Sequence, residues 1–531
     1  MRNKKLQVWL PLLLSLCMVA GMFVGYRIKA NMPNRSIFFM QPQRPVQEVL
    51  DLIKNNYVDE ENIDSLGTVA IQSMLSGLDP HSAFLPASIL KSVNEDLQGI
   101  FYGIGVEFNI INDTTNVINV LPGSPSFKAG LQIGDQLIRV NDSLIAGNNI
   151  DGERLKNLLR GSDGSKVQIT IRRQGALKKV DVYRGPIPIY SLDAAYMMTD
   201  TTGYIRLNKF SENTYKEFMQ AMDKLHKQGM KALILDLRDN GGGVLTEATH
   251  IADEFLSGNK LITYTEGAHS PRKDYRCDKE GVFETGTLII LANEGTASAS
   301  EILIGALQDW DRATIIGRRT FGKGLVQEQY VLGDGSGLRL TVARYYTPLG
   351  RSIQKPYDGN IRDYDNDIVN RFKHGEMSSA DSIKHTNEKK YTTAAGHIVF
   401  AGGGISPDIF VGVDTNSINK EVMKSLLAGT LGRFAYFNYM RRSQNFKKYN
   451  SIESFTKNFT VSDSTLYDFK QFALNDSIHI NLKDSIVKQQ IEKQIKVLTA
   501  RQIWSTEGFY QANNQYDESV KKAIEFVNTA K

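Results

Sequence analysis

Apolar positions fall into two patterns along this chain. Between residues 188 and 415, short apolar runs recur at Tyr204–Leu207, Ala232–Leu235, Leu288–Leu291 and Thr314–Ile316. Such runs suit strands covered on both faces. Between them, Val244, Leu245, Ala248, Ile251, Ala252 and Phe255 recur at three- and four-residue spacing, as do Ile302, Leu303, Ala306 and Leu307. That spacing lays one apolar stripe along a helix. Alternating strands and helices predict an α/β core. Upstream, over residues 31–95, Val46, Leu50, Ile53 and Tyr57 predict a helical region. Downstream, Val487, Ile491, Ile495 and Leu498 form a packing stripe in a helical region spanning 416–531. The polar stretch 358–390 predicts a surface loop.

One apolar run is of another kind. Residues 8–26 follow Arg2, Lys4 and Lys5 and approach the length that spans a bilayer. This is an export signal. Leu16 stands before Cys17 where lipid attachment needs a small residue, and no small-x-small cleavage site follows. The expectation is an uncleaved anchor in the inner membrane, with the body exported to a periplasmic or other extracytoplasmic space.

Length and charge narrow the picture. A chain of 531 residues calls for three or four domains. The net charge of +5 is small and scattered, which argues against nucleic-acid binding. Cys17 and Cys277 are too differently placed to pair. No Cys/His cluster has metal-ligand spacing, so neither metal nor other cofactor is expected.

The candidate chemistry lies in three segments. Ser298 sits in Glu294-Gly-Thr-Ala-Ser-Ala-Ser-Glu-Ile302, directly after an apolar strand. Lys323 sits between glycines in Thr320-Phe-Gly-Lys-Gly-Leu-Val-Gln327. Asp236-Leu-Arg-Asp-Asn-Gly-Gly-Gly243 is a glycine turn ending another strand. A serine hydroxyl needs a base, and a lysine among Phe321, Leu325 and Val326 can lose its charge and serve as one. Gln327, four residues past Lys323, would orient the amine. A straight strand would hold the two about 13 Å apart, so the glycines must bend the chain. A tetrahedral intermediate needs donors: the Ala299 amide at the helix start, and an amide of Gly242 or Gly243. Asp309 lies about 16 Å along the helix from Ser298 and is read as structural. Ser300 points away from Ser298. His81, in Leu78-Asp-Pro-His-Ser-Ala-Phe-Leu85, is read as a loop or cap residue rather than a base.

Residues 96–187 resemble a PDZ domain. Tyr102-Gly-Ile-Gly-Val-Glu-Phe108 gives a glycine loop leading into a strand, and Pro122-Gly-Ser-Pro-Ser-Phe-Lys-Ala-Gly-Leu-Gln-Ile-Gly-Asp135 gives the following turn and helix. Amides around Gly103, Ile104 and Gly105 would hold a peptide carboxylate, while the strand from Val106 pairs with the peptide.

From about Tyr57 to Asp408 the chain resembles the C-terminal processing peptidases, or tail-specific proteases. The matching features are the Ser298 block, the Lys323 block with Gln327, the Gly241–Gly243 turn and the late turn Gly402-Gly-Gly-Ile-Ser-Pro-Asp408. The family often has proline where Gly241 stands. The resemblance implies a crotonase-like α/β superfold, a Ser-Lys dyad and PDZ recognition of substrate tails. The expected organisation is an export signal over 1–30, a helical region over 31–95, a PDZ domain over 96–187, a protease core over 188–415 and a helical region over 416–531. The expected activity is that of an exported serine endopeptidase acting near protein C-termini. Its partners would be proteins or peptides with free C-termini, with an adaptor protein as a further candidate. The alternatives are a catalytically silent PDZ scaffold and an acyl-CoA enzyme. Intact Ser298 and Lys323 argue against the first, the PDZ domain and export signal against the second.

Overall fold

The computed structural model describes residues 4–31, 45–357, 361–385, 388–413 and 418–529. It divides into two units, residues 1–74 and 75–531. In the first unit, Lys4–Asn31 is one helix, and its segment Trp9–Arg27 has a mean hydropathy of 1.8, long and apolar enough to cross a membrane. Pro45–Asn56 and Ile63–Ser76 are helices. The helicity expected over 31–95 lies outside the described residues for 32–44.

The second unit is built around a six-stranded sheet. Its order is Leu192–Met197, Thr202–Leu207, Ala232–Asp236, Thr287–Ala292, Thr314–Gly317, Ile409–Phe410. The first pair is antiparallel and the rest are parallel. Every residue of Ala232–Asp236 is buried because both sheet faces are covered. One face packs Ile205, Leu233, Leu235 and Ile290 against Phe218, Ile251, Leu303 and Leu307 of three helices. The other packs Tyr204, Ile234, Ile289 and Ile316 against Val520, Ala523 and Val527 of the helix Glu518–Thr529. Burial at this density is the main driving force for the fold.

A second sheet stands beside the first. Gly337–Tyr346 pairs with Leu325–Val331, with Ala83–Leu85 and with Leu261–Gly267. An antiparallel sheet of Val106–Ile111, Thr114–Val120, Gln136–Val140, Lys166–Arg173 and Ala176–Tyr183 closes over its own core with the helix Gly152–Leu159. Val106–Ile111 lies at its edge. The antiparallel pair Ile100–Gly103 and Gly185–Pro188 forms its stem.

Six α-helices and a short 3-10 helix, Asn514–Tyr516, lie between Lys420 and Thr529. Val487, Ile491 and Ile495 are buried there with Phe434 and Phe469, and Leu498 packs against them. The helix Ser485–Asn513 kinks at Trp504 and Ser505. Just before the kink, Gln502 donates to the Ile118 carbonyl of the strand Thr114–Val120 at 2.7 Å. Just after it, Glu507 meets the Ala195 amide of the central sheet at 3.4 Å.

The stretch 358–390 differs from expectation. Residues 358–360 and 386–387 lie outside the described residues, but Ile361–Asp365 and Asp367–Lys373 are helical. Tyr364, Arg371 and Met377 are buried. Arg371 donates to the Thr320 carbonyl at 2.7 Å. A few anchoring side chains pin this segment to the core, and its many charged residues conceal them in the sequence.

Candidate active site

Ser298 occupies the N-cap position of the helix Ala299–Asp309, with φ 56 and ψ −117. A left-handed conformation is costly for serine and persists only where the surroundings impose it. The surroundings here are specific. The Ala297 amide donates to the Asn240 carbonyl at 3.0 Å, and so does the Ser300 hydroxyl at 3.0 Å. The serine loop is thereby tied to the glycine turn, and Ser300 is turned into the interior.

The turn itself hangs from a buried ionic cluster. Asp236 takes hydrogen bonds from Arg238 (2.6 and 2.9 Å) and Tyr204 (2.7 Å) and pairs with Arg206 at 3.0 Å. Burial alone would raise the Asp236 carboxyl, but the two guanidinium groups outweigh it and hold it at about 2. Beyond it, Gly242 and Gly243 have φ of +94 and +144. A Cβ on Gly242 would lie 2.7 Å from the Ser298 Cβ, and one on Gly243 would lie 2.0 Å from the Phe210 carbonyl oxygen. Both positions require glycine on geometry and on space. The Gly242 amide donates to Asn240 Oδ1 at 2.9 Å. Among the described residues, the amides of Ala299 and Gly243 have no acceptor.

Lys323 lies just before the strand Leu325–Val331, whose register shifts between Val326 and Gln327. That bulge closes the distance a straight strand would leave. Lys323 Nζ donates to Gln327 Oε1 at 2.9 Å. The Gln327 amide is oriented in turn, because its Nε2 donates to the His81 carbonyl. A carbonyl can only accept, so the NH2 group must face His81 and the oxygen must face the lysine. Burial pushes the Lys323 ammonium below the usual lysine range, with help from Arg339 and against the pull of Glu301 and Asp79.

Ser298, Ala299, Gly241, Gly242, Gly243, Lys323 and Gln327 all line one cavity of about 410 Å³. Asp309, in contrast, forms a fully buried ion pair with Arg351 at 2.5 Å and accepts the Leu349 amide at 2.9 Å.

His81 stands in a turn built by Asp79, which accepts the amides of His81 (2.8 Å) and Ser82 (2.9 Å) and the Thr341 hydroxyl (3.0 Å). Its ring nitrogen meets the Tyr364 hydroxyl at 2.6 Å. Burial and the nearby Lys323 lower its pKa to about 4. Its ring is therefore neutral at ordinary pH, and its contribution to the cavity is its main-chain carbonyl.

Glu301 had no role in the sequence reading. Its carboxylate is completely buried and takes four donors: the amides of Ser298 (2.9 Å), Gly322 (2.7 Å) and Lys323 (2.9 Å), and the Thr320 hydroxyl (2.5 Å). Burial pushes its pKa up to about 7. The hydrogen bonds from Thr320, Lys323, Gly322 and Ser298 favour the ionised form and oppose that rise. The readable signal was the spacing Ser298-x-x-Glu301, that of a capping box. Tyr345, also unforeseen, reaches the carbonyls of both Ser298 (3.1 Å) and Lys323 (2.6 Å).

The loop Gly103–Gly105 is buried, and the Ile104 side chain packs with Val117, Leu137 and Ile169 in the core of the sheet that contains Val106–Ile111. Its carbonyls are used: Gly105 accepts Leu121 N at 3.1 Å, and Ile104 accepts Ser126 N at 2.8 Å. Among the described residues, the strand that begins at Val106 pairs on one side only, which leaves its other edge without a strand partner.

Residues 201–365 match the model of peptidase family S41, residues 103–183 that of the PDZ domain, and residues 422–505 that of a family of unknown function. A probable CtpA-like serine protease of Staphylococcus haemolyticus (strain JCSC1435) is 34% identical over 315 residues, covering 59% of this chain and 63% of that one. Another, from Staphylococcus aureus (strain MRSA252), is 36% identical over 310 residues, covering 58% and 62%. The chain thus matches less than two thirds of the length of these curated relatives. Among solved structures, a photosystem II D1 C-terminal processing protease aligns over 69% of this chain and 92% of its own, at 27% identity and a TM-score of 0.35.

Proposed function

We propose that this chain, which matches the model of peptidase family S41 over residues 201–365 and is similar to CtpA-like serine proteases, is an exported, membrane-tethered serine endopeptidase of the C-terminal processing type working by a Ser-Lys acyl-enzyme mechanism. The observation that carries the reading is the Lys323 Nζ to Gln327 Oε1 hydrogen bond in a cavity that Ser298 and Gly243 also line.

Neutral Lys323 takes the Ser298 hydroxyl proton as Oγ attacks the scissile carbonyl. One N–H of the amine is held by Gln327, which leaves its lone pair free to turn towards the serine. The developing oxyanion is received by the amides of Ala299 and Gly243. Gly242 is the weaker candidate, because its amide is already held by Asn240. Protonated Lys323 then gives its proton to the leaving amine. Water repeats the sequence on the acyl-enzyme, with Lys323 again as base.

The PDZ domain delivers the substrate tail. The loop at Gly103, Ile104 and Gly105 takes the terminal carboxylate, and the open edge from Val106 pairs with the peptide backbone. The α/β core is assigned to the crotonase-like superfold. The helix containing Trp9–Arg27 would anchor the protein in the inner membrane, with the catalytic body on the extracytoplasmic side.

C-terminal proteomics of the exported fraction, with wild type and Ser298→Ala compared, tests this reading. Protein termini that shift only with intact Ser298 support it. Identical termini in the two samples refute it.

A further inference from the structure

A cation without an anion stands in the catalytic cavity. Arg339 lines the same space as Ser298 and Lys323 and is half-buried. It lies opposite Gln329 on the lysine strand, and Thr341 lies opposite Gln327. Side chains alternate along strands, so Arg339 shares a face with Gln327 and sits one same-face position beyond it, about 7 Å along the sheet.

Arg339 has no carboxylate partner among the described residues. Among the described residues its one polar contact is a long one, Nη2 to Gln329 Oε1 at 3.5 Å, with Gln329 Nε2 donating to Asn94 Oδ1 at 2.8 Å. The neighbouring anions are engaged elsewhere. Asp96 pairs with Lys209, Glu328 accepts the Tyr330 hydroxyl at 2.7 Å, and Asp79 holds the His81 turn. A second cation of the cavity, Lys323, faces Arg339 closely enough for the two charges to oppose each other. A guanidinium partly withdrawn from water, unpaired and beside another basic group is disfavoured as it stands. Its planar fork fits a carboxylate with two parallel hydrogen bonds.

We propose that Arg339 is a specificity-determining residue that receives a carboxylate of the peptide substrate within about two residues of the bond being cut. This rests on the peptidase reading of the cavity. The carboxylate can be an Asp or Glu side chain or the chain terminus itself. Both offer the same chemistry to the guanidinium, and both place a negative charge against it.

The test is binding, measured apart from turnover. In the full chain carrying Ser298→Ala, fluorescence anisotropy follows fluorescein-labelled alanine-rich decapeptides. Each bears one Glu or one Gln at successive positions, with the C-terminus free or amidated. The same series is repeated with Arg339→Gln or Arg339→Lys added. At one position Glu should bind about tenfold tighter than Gln; Arg339→Gln should bring that ratio near one, and Arg339→Lys should keep part of it. A Glu preference lost in this way identifies a side-chain carboxylate. A free-acid preference lost in this way identifies the terminus. A free-acid preference that Arg339→Gln leaves unchanged belongs to the PDZ domain and overturns the proposal, as does the lack of any Arg339-dependent carboxylate preference. Cleavage of the same peptides by the protein with Ser298 intact is scored separately. Its absence refutes the peptidase reading, while the binding ratios still decide the role of Arg339.

Discussion

Ser298 and Lys323 donate their main-chain amides to the same atom, Oε2 of Glu301, each at 2.9 Å. Two loops that are distant in sequence are thus set against one buried carboxylate, and the distance between serine and lysine is fixed through their backbones.

Glu301→Gln should therefore impair catalysis without removing any group that touches substrate. The amide would turn an N–H towards main-chain N–H groups and leave at least one donor unmet. That costs about 1–3 kcal/mol, or roughly 10- to 100-fold in activity if it is expressed at the site. The comparison is kcat/KM for wild type and variant, with circular dichroism confirming the fold. Full activity in Glu301→Gln would show that the two loops are held by other means.

The glycine turn offers a sharper contrast. Gly243→Ala would drive a Cβ into the Phe210 carbonyl, so cleavage should be lost and thermal stability should fall. Gly241→Ala meets nothing within 4 Å and should leave the melting temperature near that of wild type. Equal melting temperatures for the two variants would contradict the turn geometry.

His81 and Gln327 separate main-chain from side-chain roles. Gln327→Ala removes the group that orients the lysine and should lower kcat by about 10-fold or more. His81→Phe keeps the carbonyl that Gln327 uses and should retain most activity. A larger loss in His81→Phe than in Gln327→Ala would assign the imidazole a direct part in the chemistry.

The pH dependence follows from Lys323. Its ammonium is pushed below the ordinary lysine range, first by burial and then by Arg339. Only the neutral amine can accept a proton, so kcat/KM should rise with pH through that lowered value and level off above it. A rate that is flat from acid to alkaline pH, with chemistry limiting, would exclude lysine as the base.

The chemistry was more legible in the sequence than its supports. Ser298, Lys323 and the glycine turn stand out because each combines a reactive or small residue with an adjoining apolar run. The alternation of strands and helices was readable because parallel strands buried on both faces are apolar throughout. The central sheet's outer cover, by the helix Glu518–Thr529, was not readable. It depends on contacts across more than 200 residues, which no local period reports. Glu301 was missed for a related reason: a charged residue in a helix's first turn ordinarily faces water, and only the arrival of residues 320–323 buries it. Tyr364 went unnoticed because its neighbours are polar and the stretch looked like a solvated loop.

The most direct measurement is peptide cleavage by purified, folded Ser298→Ala and Lys323→Ala proteins beside the wild type. If Ser298 is the nucleophile and Lys323 its base, each substitution alone reduces cleavage to background while the circular dichroism spectrum is unchanged. Cleavage that persists well above background in either folded variant would contradict the dyad.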